Sequence, residues 1–506
     1  MAGSVLEYLE RSARTFPEKT AFVDENGSVT FAQLRRQARA LGSFIIKANA
    51  ERKPVLVLMD KSVQEIISFM GILYSGCLYC PADASIPDLR IQNIIKTLQP
   101  KLIITTETLL ARAKSILAAA EWDIPAVAYG GAFFEQTDEA ALAQVRVIAS
   151  DPAYAIFTSG STGVPKGVCV SHGAVRSFID VFTETFGITE LDVIGNQAPF
   201  DFDVSVKDIY SALKTGATMH LIPRAMFTFP KRLIDLLREQ KVTTLIWAVS
   251  ALVMAANAKA FGYAVPESLR NIMFSGEVMP VRHLNYWRGY LPQARFVNLY
   301  GPTEITCNCT YYIVDRPFDE TETLPLGRAF GHTDILVLDE NNRPILPGQT
   351  GEICVRGPSL ALGYYNNPEQ TAKAFAQNPL QSAYPERIYR TGDLARLTEQ
   401  GELVFAGRKD FQIKHMGHRI ELAEVEMAVN ALEQIQAAVC LYDETREKIV
   451  LVYQGGADAK YIFNGLKPVL PKFMFPQVFE RLDAMPYTKN MKIDRVKLKQ
   501  DFIGGT

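Results

Sequence analysis

The chain has 506 residues, of which 53 are basic and 55 acidic, and 48% are hydrophobic. These proportions are typical of a globular protein and exclude collagen-like, disulfide-stapled and disordered chains. Because single hydrophobic cores stop growing at about 250–300 residues, the length predicts at least two domains. The formal net charge of −2 provides no long-range field that would attract nucleic acid or a membrane surface.

The N-terminal segment does not resemble a signal peptide, because Glu7, Glu10 and Arg11 interrupt the region where an apolar core would be needed. It predicts instead a helix that begins with a capping box of Ser4 and Glu7 and ends at Pro17. No apolar stretch is long enough for a membrane span. An odd number of cysteines, seven, does not suit a secreted disulfide framework. We therefore expect a cytoplasmic protein.

Short β-rich segments alternate with amphipathic, helix-length segments over the first 325 or so residues. Predicted helices include residues 62–74 and 231–240, and predicted strands are 55–59, 102–106, 153–160, 243–249, 272–276 and 296–301. Apolar strands separated by helices are typical of parallel sheets covered on both faces. The predicted fold class is α/β, with a large N-terminal domain of stacked sheets and flanking helices.

The pattern changes after about residue 325. Strands predicted at 334–345, 350–357 and 401–407 are separated by turn residues and indicate a β-rich subdomain over about 325–408. From Glu421 the chain predicts a helix and two strands, a small α+β unit. We therefore predict a domain boundary in the charged segment GRKDF, residues 407–411.

The densest local signal is FTSGSTGVPKGV, residues 157–168, which follows a predicted strand. Backbone N–H groups, hydroxyls and a lysine in such a loop can surround a phosphate. It is not a Walker A loop, because Lys166 is not followed by Ser or Thr. A flexible linker is the alternative interpretation.

Further motifs follow along the chain: NLYGPTE at 298–304, GEICVRGPSLALGYYNNPEQT at 351–371, YRTGDL at 389–394, GRKDFQIKHMGHRIELAEVE at 407–426 and NMKIDR at 490–495. In type and order they resemble the adenylate-forming (ANL) superfamily of acyl-CoA synthetases, luciferases and peptide-synthetase adenylation domains. The similarity is greatest to the amino-acid-activating branch, which includes D-alanine:carrier-protein ligases and stand-alone adenylation proteins. The resemblance implies the adenylate-forming enzyme fold, with a large domain over 1–408, a hinge at 409–410 and a small, mobile C-terminal domain over 411–506.

The resemblance also implies an AMP-forming ligase that uses ATP and Mg²⁺. It would activate an amino-bearing acid, release pyrophosphate and transfer the acyl group to the phosphopantetheine thiol of a separate carrier protein. Lys492 would be the catalytic cation, Glu304 the metal ligand, and Lys409 with Asp410 the hinge. The ATP-binding positions implied are Thr158, Ser159, Gly160, Ser161, Thr162, Gly163, Lys166, Gly276, Glu277, Asn298, Leu299, Tyr300, Gly301, Pro302, Thr303, Asp393, Phe405 and Arg408.

In the implied nucleotide site, Tyr300 would stack on adenine, and Asp393 and Arg408 would bind the ribose hydroxyls. A carboxylate suits the ribose because it accepts two hydrogen bonds and donates none.

Asp203 resembles the carboxylate that pairs with a substrate ammonium, a partner that a buried positive group requires. The other acid-pocket positions implied are Val204, Lys207, Trp247, Met273, Ser275, Leu299, Cys307 and Asn308. Trp247 and Met273 would form a flat, polarisable wall, which favours an anthranilate-like acid over alanine. A conventional α-amino acid, including D-alanine, is the alternative. Lys207 would either form an i,i+4 ion pair with Asp203 or meet a polar substituent of the acid.

Two other functions are compatible with the same motifs. A CoA ligase would differ only in the thiol acceptor. A binding or regulatory module would keep nucleotide affinity without chemistry, but the joint presence of Lys166, Glu304, Asp393, Arg408 and Lys492 argues against it.

Overall fold

The computed structural model describes residues 3–48, 52–133, 137–159, 165–320, 322–409, 412–486 and 493–504. The chain divides into two compact units. The first unit consists of Met1–Ala84, Leu98–Ile156 and Gly167–Lys409. The second consists of Ser85–Thr97, Phe157–Lys166 and Asp410–Thr506, so it includes two short segments from the N-terminal part of the sequence.

The largest sheet of the first unit has nine strands. Six central strands are parallel, and the pairs at both edges are antiparallel. In spatial order the strands are Arg328–Ala329, Thr310–Ile313, Arg295–Tyr300, Asn271–Ser275, Thr244–Ala248, Val193–Asn196, Thr218–Leu221, Thr20–Asp24 and Gly27–Thr30. The predicted strands at 243–249, 272–276 and 296–301 are confirmed within a residue at each end.

Both faces of this sheet are buried, as predicted for a parallel sheet. Because successive side chains of a strand point to opposite faces, Ile246 and Met273 belong to one hydrophobic core. Trp247 and Phe274 belong to a second core on the other face. This alternation decides which side chains of the strands reach the candidate site.

A second, seven-stranded sheet contains the predicted strands at 55–59, 102–106 and 153–160. Its order is Gly363–Tyr364, Lys166–Ser171, Pro152–Thr158, Leu78–Asp83, Pro54–Met59, Leu102–Thr105 and Ala126–Ala128. Every residue of Pro54–Met59 is buried, which agrees with its continuous apolar sequence.

Helices connect and cover these strands. In the N-terminal part they are Leu6–Thr15, Phe31–Lys47, Val63–Tyr74, Asp88–Leu98, Glu107–Ala119, Glu139–Gln144, His172–Phe186, Val204–Thr215, Pro230–Glu239, Val249–Asn257, Val281–Tyr290 and Pro368–Ala374. The predicted helices 62–74 and 231–240 are confirmed within a residue at each end. Ser62 caps the first of them by accepting a hydrogen bond from the Glu65 backbone N–H.

The predicted capping box of the first helix is wrong. The helix begins one residue later than predicted, and the residue in the N-cap position is Val5, which has no side-chain acceptor. Ser4 Oγ accepts instead from the Leu6 backbone N–H, and Glu7 Oε1 accepts from the Gly3 N–H. The helix ends at Thr15, close to the predicted stop at Pro17.

The β-rich subdomain is an antiparallel sheet of five strands. Its strands are Asp334–Leu338, Thr350–Arg356, Phe375–Gln377, Arg387–Leu397 and Leu403–Arg408. The last two pair so that Asp393 lies opposite Arg408. The predicted strands of this region are confirmed, although the first ends at Leu338 rather than at residue 345.

The C-terminal part of the second unit has the α+β composition predicted for it. A hairpin, Gln412–His415 with His418–Glu421, precedes helix Leu422–Asn430. The remaining elements are strands Ile435–Asp443, Lys448–Gly455 and Val478–Leu482 and helices Ala459–Leu466 and Arg495–Lys499. Helix Leu422–Asn430 packs Val425 and Val429 into the core of this unit.

All seven cysteines are buried. In the described part of the chain, no helix combines the length and the apolar character that crossing a bilayer would require.

Candidate active site

Many candidate residues of the first unit lie in or directly after the carboxyl-terminal halves of three adjacent parallel strands. Thr244–Ala248, Asn271–Ser275 and Arg295–Tyr300 pair side by side. Ligands of open parallel sheets bind beyond this edge. Gly301 follows the last of these strands, and a Cβ at this position would lie 2.5 Å from the Cα of Asn308. Only glycine therefore allows the chain after this strand to approach the Asn308 segment so closely.

Tyr300, Asp393 and Arg408 converge in this unit. Tyr300 Oη donates to Asp393 Oδ2 at 2.7 Å, and Arg408 Nη1 donates to Asp393 Oδ1. Burial raises the pKa of Tyr300 well above its usual value, and the charge of Asp393 adds to this shift, so the phenol remains a donor. Arg408 also donates to the Thr391 backbone oxygen at 3.3 Å. These contacts hold the carboxylate of Asp393 in one orientation.

Glu304 lies in a short 3₁₀ helix, Thr303–Ile305, a few residues after Tyr300. It is fully buried, and its Oε1 accepts a hydrogen bond from Tyr364 Oη at 2.8 Å. Its backbone oxygen accepts from the Ala361 N–H at 2.9 Å. The segment around Tyr364 thus holds the Glu304 turn in place.

The donor chemistry of Glu304 suits Mg²⁺, which is a hard cation that prefers oxygen ligands. Over the described ranges, no group of three or more His, Cys, Asp or Glu side chains is arranged to hold a metal ion. A single carboxylate is compatible with Mg²⁺, because this ion usually keeps several waters and binds substrate phosphates directly.

The glycine-serine loop lies in the second unit, and residues 160–164 fall outside the described residues. Ser159 Oγ donates to the Arg419 backbone oxygen at 2.7 Å. Lys166 Nζ lies 3.6 Å from Glu421 Oε1. Thr158 Oγ1 is buried and has no hydrogen-bond partner among the described residues. An unsatisfied buried hydroxyl at the start of this loop is compatible with a phosphate ligand.

The acid-pocket candidates come from three elements. Asp203 is the N-cap residue of helix Val204–Thr215, and its carboxylate does not cap the helix. Cys307 Sγ donates to the Asp203 backbone oxygen at 3.1 Å. Met273 and Ser275 come from the central strand, and Asn308 follows Cys307. All of these residues are buried.

Lys207 is fully buried, one helical turn after Asp203. Its Nζ donates to Asn308 Oδ1 at 2.6 Å and to Ser275 Oγ at 3.5 Å. Of the two alternatives for Lys207, the i,i+4 ion pair with Asp203 is not the one these contacts show. The alternative, in which Lys207 points among the pocket residues, agrees with these contacts.

The prediction for Trp247 requires correction. Its indole Nε1 donates to the Gly195 backbone oxygen at 2.7 Å, and its ring packs in the core opposite Met273. The strand neighbours that share a face with the pocket are Ile246, which pairs with Met273, and Ala248, which pairs with Ser275. The two-residue alternation of a strand is the signal that could have identified them.

Other ATP-site candidates are distributed as follows. Leu299 pairs with Ser275, whereas Asn298 pairs with Phe274 on the other face and donates Nδ2 to the Pro325 oxygen at 2.9 Å. Phe405 lies on the strand that carries Arg408, Leu403–Arg408, and pairs with Ala395 of the neighbouring strand. The remaining candidates of this group follow strands Asn271–Ser275 and Arg295–Tyr300: Gly276, Glu277, Pro302 and Thr303.

Two further residues near these sites lie in segments singled out from the sequence but have no role predicted for them. Tyr364, which contacts Glu304, lies 60 positions further along the chain. Tyr154 is fully buried, and its hydroxyl has no hydrogen-bond partner among the described residues. Burial raises the pKa of Tyr154 well above its usual value, and Cys307 and Asp203 raise it further. Such contacts arise only when distant segments of the chain fold together.

Lys409, a predicted hinge residue, donates its backbone N–H to the Gly392 oxygen at 2.8 Å and Nζ to Glu352 at 3.1 Å. The predicted catalytic Lys492, the other hinge residue Asp410 and the loop residues Gly160, Ser161, Thr162 and Gly163 lie outside the described residues.

Comparisons with known proteins support one family. The sequence profile of the family described as AMP-binding enzyme matches residues 9–365. The D-alanine–D-alanyl carrier protein ligase of Bacillus cereus is 32% identical over 507 residues, with 98% of each chain covered. Tyrocidine synthase 2 of Brevibacillus parabrevis is 32% identical over 98% of this chain, which spans only 13% of that protein.

A solved structure of an NRPS protein with adenylation and PCP domains, bound to a vinylsulfonamide inhibitor, superimposes with a TM-score of 0.83. It is 26% identical, and the match covers 98% of this chain and 84% of the other. The fold is thus that of the adenylate-forming enzymes, as predicted. The chain belongs to the AMP-binding enzyme family.

Proposed function

We propose that this enzyme activates an amino-bearing carboxylic acid with ATP and loads it onto a carrier protein. An oxygen of the acid attacks the α-phosphorus of ATP, pyrophosphate leaves, and an acyl-AMP forms. The thiolate of a carrier-bound phosphopantetheine then attacks the acyl carbon, and AMP leaves. The observation that carries the proposal is the convergence of Tyr300, Asp393 and Arg408 in a chain of the AMP-binding family.

The contacts that Tyr300 and Arg408 make with Asp393 support a nucleotide site at this carboxylate. Asp393 would accept hydrogen bonds from the two ribose hydroxyls, with Arg408 beside it and Tyr300 against the base. Thr158 and Lys166 would contact phosphate oxygens. Because charge develops on those oxygens in the transition state, fixed donors and cations are what the reaction requires.

Glu304 would hold Mg²⁺, which when bound supplies positive charge next to the phosphate oxygens. The resemblance of NMKIDR to the family motif supports Lys492 as the cation that neutralises the acid carboxylate and the α-phosphate together. The same resemblance supports Lys409 and Asp410 as a hinge.

For the acid, we propose that Asp203 binds the amino group. Its burial supports this role, because a buried carboxylate is stabilised by a positively charged partner. The anthranilate-like preference now has less support, since Trp247 lies on the other face of the sheet and only Met273 of the proposed wall remains. The similarity to D-alanyl carrier protein ligases supports an α-amino acid at least as well.

The same similarity supports a carrier protein as the acceptor, because it extends over 98% of both chains. Phosphopantetheine-loaded carrier proteins and free CoA, offered separately to the acyl-AMP-forming enzyme, would distinguish the two classes of acceptor. Thioester formation with CoA alone would contradict a carrier-loading function.

Acid-dependent exchange of pyrophosphate into ATP tests the first half-reaction. We expect exchange with at least one amino-bearing acid and none with the corresponding acid that lacks the amino group. Asp203→Asn should abolish the preference for the amino group. If no amino-bearing acid supports exchange, the proposal is contradicted.

The role of Lys492 is tested by Lys492→Ala, with Lys497→Ala as the matched control on an exposed position nearby. Loss of a positioned charge in the transition state lowers the rate by about 100-fold or more. We therefore expect this loss for Lys492→Ala and wild-type exchange for Lys497→Ala. Full activity of Lys492→Ala would mean that the chain binds nucleotide without using this lysine in chemistry.

A further inference from the structure

Lys207 is a buried cation whose hydrogen-bond partners are neutral. A lysine ammonium has three N–H donors and no acceptor. In the described part of the chain, Nζ of Lys207 donates to the amide oxygen of Asn308 and the hydroxyl of Ser275, and it forms no ion pair with a carboxylate. The charge of this fully buried side chain is therefore not compensated by direct contact.

Such an arrangement is costly. Burying a charged group without a hydrogen-bonded counter-charge is strongly unfavourable, whereas an apolar side chain of similar length would fit a core position at no such cost. Burial lowers the pKa of Lys207, although Cys307, Asp203 and Asp208 oppose this shift. A lysine at this position is therefore explained best by a ligand that supplies the missing charge.

The position of Lys207 decides which ligand this is. Asp203 and Lys207 are separated by one turn of the same helix, so their side chains lie on the same side of it. The partners of Lys207 come from the strand and the turn that also supply the acid-pocket candidates, Ser275 and Asn308. A negative and a positive group thus lie on one side of this helix, among the acid-pocket candidates. A ligand that matches both carries an ammonium and a separate anion.

We propose that Lys207 selects an acid with a second anionic group, namely an amino acid whose side chain ends in a carboxylate. This inference rests on the proposed function, in which Asp203 binds the amino group and the first carboxylate is adenylated. The second carboxylate accepts a hydrogen bond from Nζ of Lys207, and Asn308 and Ser275 hold the ammonium in position. An alanine-sized side chain would leave this cation uncompensated.

The preference of the pocket can be measured without chemistry. Non-hydrolysable aminoacyl-sulfamoyl adenosines carry the acid and the nucleoside in one molecule. Their binding to the full chain is measured by calorimetry for aspartyl and glutamyl probes, for their asparaginyl and glutaminyl counterparts, and for the alanyl probe. Because a hydrogen bond between charged groups is stronger than one to a neutral amide, we expect at least about tenfold tighter binding of one carboxylate probe than of its amide.

Lys207→Met removes the cation and keeps a side chain of similar length, and Lys207→Gln keeps an N–H donor without the charge. Both should lose the preference for the carboxylate probe by about 10- to 100-fold. Lys207→Met should bind the alanyl or a leucyl probe at least as well as the wild type. In exchange assays the loss should appear in KM for the acid, with KM for ATP unchanged. Lys214→Met, the same change two turns further along the helix, should leave all preferences unaltered.

These outcomes distinguish the role of Lys207 in the pocket from the proposed function of the enzyme. Equal binding of carboxylate, amide and alanyl probes by the wild type would overturn the role of Lys207, even if an apolar amino acid supports exchange. An unchanged probe preference in both Lys207 variants would do the same. A carboxylate preference that depends on Lys207, without exchange for any acid, would refute the proposed function and leave the assignment of the pocket standing. If Lys207→Met fails to fold, Lys207→Gln carries the test.

Discussion

Replacing Asp393 by asparagine is the most direct test of the proposed nucleotide site. The substitution conserves size and removes the charge that Arg408 and Tyr300 both contact. Removal of one partner of a buried ion pair costs about 3–5 kcal/mol, and the partial exposure of Arg408, whose side chain is 11% accessible, places the expected loss near the lower end. We therefore expect the free energy of unfolding to fall by about 3 kcal/mol.

Asp393→Asn should also raise KM for ATP, by more than a purely structural change at this position would. A hydrogen bond to a charged group contributes about 1.5–3 kcal/mol, so weakening two such bonds to the ribose should raise KM for ATP about 100-fold. Initial rates of pyrophosphate exchange as a function of ATP concentration measure this shift. Urea unfolding of the same preparation measures the stability.

Tyr300→Phe is the matched control, because it removes one contact of Asp393 and keeps both the charge and an aromatic ring. It should lose about 1.5 kcal/mol of stability and change KM for ATP less than tenfold. Two results would refute the reasoning: an unchanged KM for ATP in a folded Asp393→Asn enzyme, or equal KM effects of the two substitutions.

Three further predictions concern the metal, the backbone and a buried acid. Glu304→Gln should raise the Mg²⁺ concentration for half-maximal exchange at least about tenfold, and an unchanged Mg²⁺ titration would exclude Glu304 as a ligand. Gly327→Ala should severely destabilise the protein in urea unfolding, because a Cβ there would lie 2.0 Å from the Tyr311 backbone oxygen. Gly187 is the control, since it also has a positive φ but a Cβ there would meet no atom within 4 Å. Gly187→Ala should lower the free energy of unfolding by only about 1–2 kcal/mol. Burial raises the pKa of Asp208 to about 7. Between about pH 4 and pH 7 the folded state therefore still binds this proton, whereas the unfolded state has lost it. The contribution of Asp208 to the free energy of unfolding consequently falls as the pH rises through this range. Asp208→Asn should remove this pH dependence, so that by pH 7 its free energy of unfolding, relative to that of the wild type, has risen by up to about 4 kcal/mol. Parallel plots of unfolding free energy against pH for the two proteins would contradict this prediction.

Much of the fold could be predicted from local patterns. Continuous apolar runs of four to eight residues, separated by amphipathic segments, indicate buried parallel strands with covering helices. The strands at 243–249, 272–276 and 296–301 follow this rule and are confirmed. The first helix shows the limit of the approach, because its cap is one residue away from the side chain that could have formed a capping box.

The candidate site was predictable only where a motif carries it. Tyr300, Asp393 and Arg408 were singled out by short motifs, and the structure brings them together. Tyr364 was not assigned a role, because no pattern in a single sequence links it to Glu304. The resemblance implies that Trp247 lines the acid pocket beside Met273, whereas the alternation of side chains along its strand turns Trp247 to the opposite face of the sheet.

The sequence by itself determined the class of fold and the family, since strand and helix periodicity and the motif order are local properties of the chain. Tertiary structure decided the character of the acid pocket. Whether Lys207 is an exposed partner of Asp203 or a buried cation held by Asn308 and Ser275 depends on contacts between residues 68 and 101 positions apart. The energy of a charge is set by its burial and its partners, and both exist only when the chain is folded.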